Sequence, residues 1–318
     1  MPPHRQLRAG AGSPDECPLR RRRHRLPAGE GDEDQKMNRI AQQQKLQNDQ
    51  SRGRWELYAP HRGRVTRLLI DAAPPHGRLC VLGAGNSNDL DLPALLRAYA
   101  EVHLVDWDAT ALQSGLESQG CGDTGRVRLY GNVDLTFIAD RLGLGAPERP
   151  LSDAELDICA TTMATRPPLD VPSPFDTVAS VCLLTQLMQC VGLSLGERHP
   201  RFVEMIMRLR AQHLALLLGL VRPGGTAMLV LDFVSSKTCP ELHQVPEASL
   251  FDKAVELISR RNFFTGVNPF IIRQLFVSDP TLAPLVDSVQ MTVPWLWDFG
   301  PRLYLVSAIV IRRRPAAP

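Results

Sequence analysis

Hydrophobic and polar positions follow two different periods along the chain, and the change of period divides it. Between Met37 and Ile70 the sequence suits two helices interrupted near Ser51-Arg-Gly-Arg, the second carrying Trp55, Leu57, Tyr58, Val65, Leu68 and Leu69, with Pro60 capping or kinking it. After Ala72-Ala-Pro-Pro short apolar runs take over: 78–82, 102–105, 127–130 and 175–182 read as strands, with helices at 93–100 and 109–118. A longer polar stretch fills 141–174. Residues 201–220 form a strong helical pattern through Phe202, Met205, Ile206, Leu209, Leu216 and Leu220, and Pro223-Gly-Gly turns it into a strand at 227–231.

Strands alternating with helices argue for a parallel sheet covered on both faces. The C-terminal part breaks that rhythm. After a helical insertion near 249–260, residues 288–294 and 303–311 read as strands joined only by Trp295-Leu-Trp-Asp-Phe-Gly-Pro301. A parallel crossover needs about a dozen residues or more, so these two strands must be antiparallel. The expectation is an α/β fold: a doubly wound, mostly parallel seven-stranded sheet with a C-terminal antiparallel hairpin, plus N-terminal helices. Residues 1–36 form an arm, 37–75 a helical cap, and 76–318 the α/β domain.

Composition changes little in this picture. An apolar fraction of 44% with 22% charged residues is ordinary for a soluble globular chain. The 36 basic and 34 acidic residues nearly cancel, and part of the basic excess is the run at Arg20 to Arg23, which argues against nucleic acid as a partner. The seven cysteines are scattered, without a C-x-x-C pair or a histidine at zinc-ligand spacing, so they read as reduced thiols in a cytoplasm and no metal is expected. The longest apolar run, Leu214 to Val221, is far short of a membrane span. Residues 1–36 carry almost no large apolar side chains and no apolar signal core, and are read as disordered. The basic run Arg21 to Arg25 reads as a solvated arm ahead of a targeting or nucleic-acid patch, and Met37 is an alternative start.

The chemistry gathers at Val81 to Leu92, VLGAGNSNDLDL, a glycine-rich turn behind a strand. Gly83 and Gly85 match the first two glycines of the dinucleotide fingerprint, but the third position is Asn88. A pyrophosphate seeks the positive end of the following helix, whereas this turn runs into Asp89 and Asp91. Two carboxylates would repel a diphosphate and favour a ligand carrying an ammonium and a sulfonium. Asp91 reads equally as the cap of the helix that Pro93 enters. Asp106, 21 residues after Gly85 at a strand end, can accept hydrogen bonds from two ribose hydroxyls, in a nicotinamide site as in others.

With LGAGNSNDLDL as first motif, VHLVDWD as second-strand acidic motif, FDTVASVCLL as fourth strand, LVRPGGTAML leading into the fifth, and the terminal hairpin, the chain resembles the class I S-adenosylmethionine-dependent methyltransferases over most of 76–312. It departs from them at Val81, where the family often has an acidic residue, and at Ser87, where it often has a glycine. The resemblance implies a Rossmann-like domain with S-adenosylmethionine as cofactor. It lays the backbone of Gly83, Ala84, Gly85 and Asn86 along the methionine and ribose, and gives Asp106 the ribose hydroxyls. It sets Asn132 and Val133 at the adenine, with Trp107 stacking there or simply packing, and Asp134 either joins them or caps a helix. Ser180, Val181 and Cys182 border the methionine portion, Cys182 reading as a buried thiol ahead of a nucleophile.

Methyl transfer is an in-line displacement that needs alignment, and a base only where the acceptor must lose a proton. Candidates at the expected mouth are Tyr58, His61, Glu197, His199 and Asp232, each with an ordinary structural reading beside it. An Asn/Asp-Pro-Pro-Tyr/Phe motif is absent, since the fourth strand ends Ser180-Val-Cys-Leu183, which argues against DNA-adenine and glutamine-amide acceptors. The expected function is methyl transfer to an unidentified acceptor, a small molecule ahead of a protein, with no nucleic acid and no membrane. The competing classes are an NAD(P)-dependent oxidoreductase and a non-catalytic cofactor-binding or interaction protein with the same fold.

Overall fold

A computed structural model describes residues 39–165 and 168–316; the arm at 1–36, with its basic run, and the start at Met37 lie outside the described residues. Five strands run parallel: β1 (Arg78–Leu82), β2 (Glu101–Val105), β3 (Val127–Tyr130), β4 (Phe175–Val181) and β5 (Val221–Ser235). After them come β6 (Val286–Met291), β7 (Trp295–Asp298) and β8 (Leu303–Arg313), and the sheet order is β3-β2-β1-β4-β5-β8-β6, with β7 also paired to β8. β8 is antiparallel both to β5 and to β6.

The expected hairpin is present, with one refinement: the connection at Trp295 to Asp298 is itself a strand on β8. Pro294 has no N–H to donate, so the pairing arm is divided there into β6 and β7. Thr292 bridges the break, its N–H donating to Ala308 O and its Oγ1 accepting from Ala308 N, both at 2.9 Å. Seven strand positions thus carry eight strands.

The period of two decides how the sheet is covered. Leu79 and Val81 of β1, Ala179 of β4 and Met228 and Val230 of β5 face one core, while Cys80, Leu82, Val178, Leu229 and Leu231 face the other. The first core is closed by α2 (Ala59–Asp71), α3 (Leu92–Ala98) and α4 (Ala109–Ser118), following α1 (Arg39–Ser51) in the chain. The second is closed by α5 (Ala139–Leu142), α6 (Asp153–Thr165), α7 (Leu184–Leu195) and α8 (Phe202–Gly219), with α9 (Leu250–Ser259) and α10 (Pro269–Ser278) from the insertion.

Three of these helices lie where the sequence pattern predicts none. α6 interrupts the polar stretch at 141–174 and begins with a capping box, Ser152 N donating to Glu155 Oε2 at 2.8 Å and Glu155 N to Ser152 Oγ at 3.4 Å. α7 follows β4 with only Cys182 and Leu183 between them. α10 is capped by Asn268, whose Oδ1 accepts from the N–H groups of Phe270 and Ile271. β5 is longer than expected, starting at Val221 and reaching Ser235.

α4 packs directly on the glycine-rich turn. A methyl group at Gly115 would stand 2.5 Å from the Asn86 carbonyl oxygen. Alanine in a helix interior normally gains about 1 kcal/mol over glycine. Here Gly115→Ala is expected to destabilise the chain by roughly 1–3 kcal/mol instead, as overpacking does. Urea denaturation of the two proteins checks this, and a gain in stability would mean that α4 and the turn are not in that contact.

Candidate functional site

The turn after β1 is shaped by glycine backbone. Gly83 and Gly85 have φ of 73° and 46°, the region open to glycine. A side chain at Gly83 would run into Leu183, and one at Gly85 into Asn48 Oδ1. Backbone bonds tie this turn to its neighbours: Gly83 N donates to Val105 O at 2.8 Å, Asp106 N to Tyr130 O at 3.1 Å, and Val133 N to Asp106 O at 3.1 Å. The carboxyl ends of β1, β2 and β3 therefore form one block.

Asp106 is its polar centre. Oδ2 accepts from Gly85 N at 2.8 Å and Oδ1 from Asp108 N at 2.9 Å, leaving lone pairs on both oxygens. Burial raises the carboxyl to about 6, against those two backbone N–H groups, which lower it. Asp106 lines a pocket with Gly83, Trp107, Val133 and Asp134 on one side and Leu183, Gln186, Leu187 and Cys190 on the other.

α1 closes the pocket from above through residues that sequence reasoning missed. Gln44 and Asn48 line it. Asn86 Nδ2 donates to Asn48 O at 2.6 Å and to Ser51 Oγ at 3.1 Å, Asn88 Nδ2 to Ser51 O at 2.7 Å, and Asn48 Nδ2 to Asp108 Oδ2 at 3.2 Å. The cavity beneath measures about 30 Å³, room for a water or two. Asn86 Oδ1, buried, has no hydrogen-bond partner among the described residues.

The expected site residues fall into three groups. Gly83, Asp106, Trp107 and Val133 line the pocket; Ala84, Gly85 and Asn86 belong to the turn beside it. Asn132, at φ 58°, is exposed and spends its N–H on Trp107 O, its side chain off the pocket wall. Asp134 caps the segment after it, taking Thr136 N at 2.7 Å and Ala139 N at 2.8 Å, and Asp91 caps α3 through Ala94 N. The Ser180 side chain points away from the pocket into the α8 core, its Oγ 2.9 Å from His213 Nε2. His199 is likewise elsewhere, its Nδ1 accepting from Arg201 N at the start of α8, where Arg201 also pairs with Asp157; Glu197 is exposed on the same link.

Tyr58, His61, Cys182 and Asp232 meet in a second, buried group, and Asp89, whose side chain is 22% exposed, stands at its edge. His61 stacks on Trp297 at 4.6 Å, its Nδ1 accepts from Trp295 Nε1 at 3.1 Å, and its Nε2 is 3.5 Å from Asp89 Oδ1. Tyr58 meets Trp297 edge to face at 5.3 Å. Burial governs every ionisable group here. It pushes His61 down to about 3, Asp89 up to about 7 against the opposing charge of Arg62, and Asp232 up to about 7 against the Thr185 hydroxyl, which donates at 2.7 Å. It also raises Tyr58 and Cys182 far above their ordinary values, the latter as an inert buried thiol.

Five parallel strands in the order 3-2-1-4-5 with a reversed strand inserted before the sheet edge make a Rossmann-like α/β fold, the architecture expected from the sequence. No protein-family model matches the chain, and no curated protein does. Solved structures similar to it include an O-methyltransferase family protein from Burkholderia thailandensis, with 15% identity, a TM-score of 0.42, and coverage of 86% of this chain and 60% of that one. Others are the CurJ carbon methyltransferase, with 13% identity, a TM-score of 0.42 and coverage of 82% and 55%, and an rRNA methylase from Streptococcus thermophilus, with 11%, 0.35, 78% and 93%. Among the described residues no helix is long and apolar enough to cross a membrane, and no group of three His, Cys, Asp or Glu side chains could hold a metal ion.

The raised Asp232 carboxyl makes a pH-dependent prediction. A carboxyl that binds its proton more tightly folded than unfolded contributes stability that is lost as pH rises from about 4 through 7. Asp232→Asn keeps an acceptor for Thr185 and cannot ionise beside Cys182, Tyr304 and Asp89. Relative to the parent it is expected to gain on the order of 1–4 kcal/mol between pH 5 and pH 8, at ~1.4 kcal/mol per unit. His61 and His213, which burial holds neutral, titrate in the opposite sense below their ordinary ~6.5 and are common to both proteins. Urea denaturation across that range checks it, and a difference that does not change with pH would contradict it.

Proposed function

We propose that the chain is an S-adenosylmethionine-dependent methyltransferase whose cofactor lies between the glycine turn and α1, and whose acceptor is a small molecule. One observation carries the reading: Asp106, at the carboxyl end of β2, is held by the Gly85 and Asp108 N–H groups on the wall of the pocket that the β1 turn and β3 loop complete. Ligands of open α/β sheets bind outside the carboxyl ends of the strands.

The residues fit such a group. Gly83 leaves bare backbone where a side chain would collide with Leu183, Gly85 turns the chain at a φ of 46°, Asp106 retains acceptor capacity, and Asn86 Oδ1 awaits a donor. A diphosphate is disfavoured because the N–H groups at the start of α3 are already taken, Ala94 N by the Asp91 carboxylate and Leu92 N by Gln119 Oε1. When bound, S-adenosylmethionine supplies a methyl carbon activated by a positively charged sulfur. In this reading Asp106 accepts the ribose hydroxyls, and Trp107 and Val133 flank the adenine. The backbone at Gly83 to Asn86 follows the ribose and methionine, with Asn132 and the β4 end at Ser180 and Cys182 contributing main-chain surface.

Ligand sites of this kind measure roughly 300–1,000 Å³, so α1 must swing away to admit the cofactor. Its attachment suits that, because only Ile40 and Ala41 of α1 are buried and the rest of its hold is polar.

Thermal unfolding with S-adenosylhomocysteine and with NAD tests the proposal. At 100 times its dissociation constant the former is expected to stabilise the chain by ~2.7 kcal/mol, and NAD not at all. Asp106→Asn should weaken the effect at least tenfold. Stabilisation by NAD alone would overturn the reading.

A further inference from the structure

The group around Asp89 and Asp232 brings two carboxylates together with unpartnered polar atoms and aromatic rings. Asp89 and Asp232 are carboxylates with no Lys or Arg ion-paired to them among the described residues. The nearest cation, Arg62, is committed elsewhere: its guanidinium lies 3.4 Å over the Trp55 ring and donates to Trp55 O at 2.7 Å and Asn88 O at 3.1 Å. His61 adds no charge. Trp295 Nε1 can only donate, so His61 Nδ1 is an acceptor and the neutral ring carries its proton on Nε2, facing Asp89.

Three buried polar atoms here have no hydrogen-bond partner among the described residues: His61 Nε2, Asp89 Oδ1 and Trp297 Nε1. His61 and Trp297 are 1% and 5% exposed, while the Asp89 side chain, at 22%, reaches the surface. The 3.5 Å between His61 Nε2 and Asp89 Oδ1 is too long for a direct hydrogen bond of ordinary strength. Around these atoms stand Tyr58, Trp297, Phe299 and Tyr304 with ring centroids 5.3–5.9 Å apart. Aromatic faces attract a desolvated cation.

The cluster adjoins the proposed cofactor pocket through consecutive residues. Leu183 lines that pocket, while Cys182 lies within electrostatic reach of Asp89 and Asp232. Asp89 itself continues the glycine turn.

We propose that this cluster opens into a chamber that receives the methyl acceptor and that the acceptor is an amine, entering as its ammonium ion. The inference rests on the methyltransferase reading above. The ammonium gives a proton to Asp89 or Asp232; the freed nitrogen lone pair then forms the new carbon–nitrogen bond as the donor's carbon–sulfur bond breaks, its electron pair passing to sulfur. An ammonium of ordinary pKa near 10 yields its proton about a thousandfold more readily to a carboxylate held near 7 than to one near 4. Tyr58, Tyr304, Cys182, Arg54, Arg62 and Arg302 are the other titratable groups within reach; Arg54 lies over the Phe299 ring, Arg302 is bonded to Tyr304, and burial keeps Tyr58 and Cys182 protonated.

The test compares amines with their isosteric alcohols. The chain saturated with S-adenosylhomocysteine is titrated with phenethylamine and butylamine, then with 2-phenylethanol and butanol, and followed by thermal unfolding and calorimetry. The amines are expected to bind and the alcohols at least tenfold more weakly; Asp89→Asn and Asp232→Asn should each lose amine affinity at least tenfold while S-adenosylhomocysteine affinity stays within twofold. Transfer of labelled methyl from S-adenosylmethionine to the amine should follow the same order. Equal binding of alcohols, no amine binding by a chain that binds S-adenosylhomocysteine, or amine binding undiminished in both variants would overturn the amine chamber. Amine binding without S-adenosylhomocysteine binding would instead overturn the methyltransferase reading and support the cation receptor.

Discussion

The 2.8 Å hydrogen bond from the Gly85 N–H to the Asp106 carboxylate joins two turns that the chain brings together only by pairing β1 with β2 in parallel. A carboxylate accepting backbone N–H groups makes a charge-assisted bond of about twice ordinary strength, and here it fixes the turn at the angle glycine alone allows. The Gly85 conformation, the packing of Gly115 beneath Asn86 and the alignment of the β3 loop all depend on that register. The same bond keeps a charged, hydrogen-bonding group poised at the mouth of the sheet, where a neutral side chain would have been easier to bury.

α1 supplies a contrasting kind of interaction. It is held by amide and hydroxyl groups, Asn48 and Ser51 meeting Asn86 and Asn88, with little apolar burial behind them. Segments of low apolar burial open at low free-energy cost. The proposed cofactor pocket and the aromatic cluster consequently differ in character: the first is roofed by a helix held mainly through polar groups, while the second lies against β7, β8 and α2, whose residues belong to the core.

The parallel strands were legible because buried β segments read as short apolar runs between turns, and the hairpin because its connection was too short for a crossover. Asp106 was legible from its distance to Gly85. The helices in 141–174 and 184–195 were harder. α6 offered a signal, Ser152 with Glu155 three residues later, submerged in a polar stretch. α7 offered less, because the turn before it is made by Cys182 at φ 48° rather than by glycine or proline. On α1, Gln44 and Asn48 look like a solvated face, and only the folded arrangement turns that face inward. Asp89 could be seen as a charge in the turn, but its pairing with His61 and the tryptophans of β7 joins segments that no local pattern connects.

Amide hydrogen exchange of the chain with and without S-adenosylhomocysteine tests the central claim most directly. The account predicts rapid exchange along 39–51 in the free chain, and slowed exchange at 83–88, 106–108 and 39–51 when the ligand is bound. Unchanged exchange at Gly85 and Asp108 under saturating ligand would contradict it.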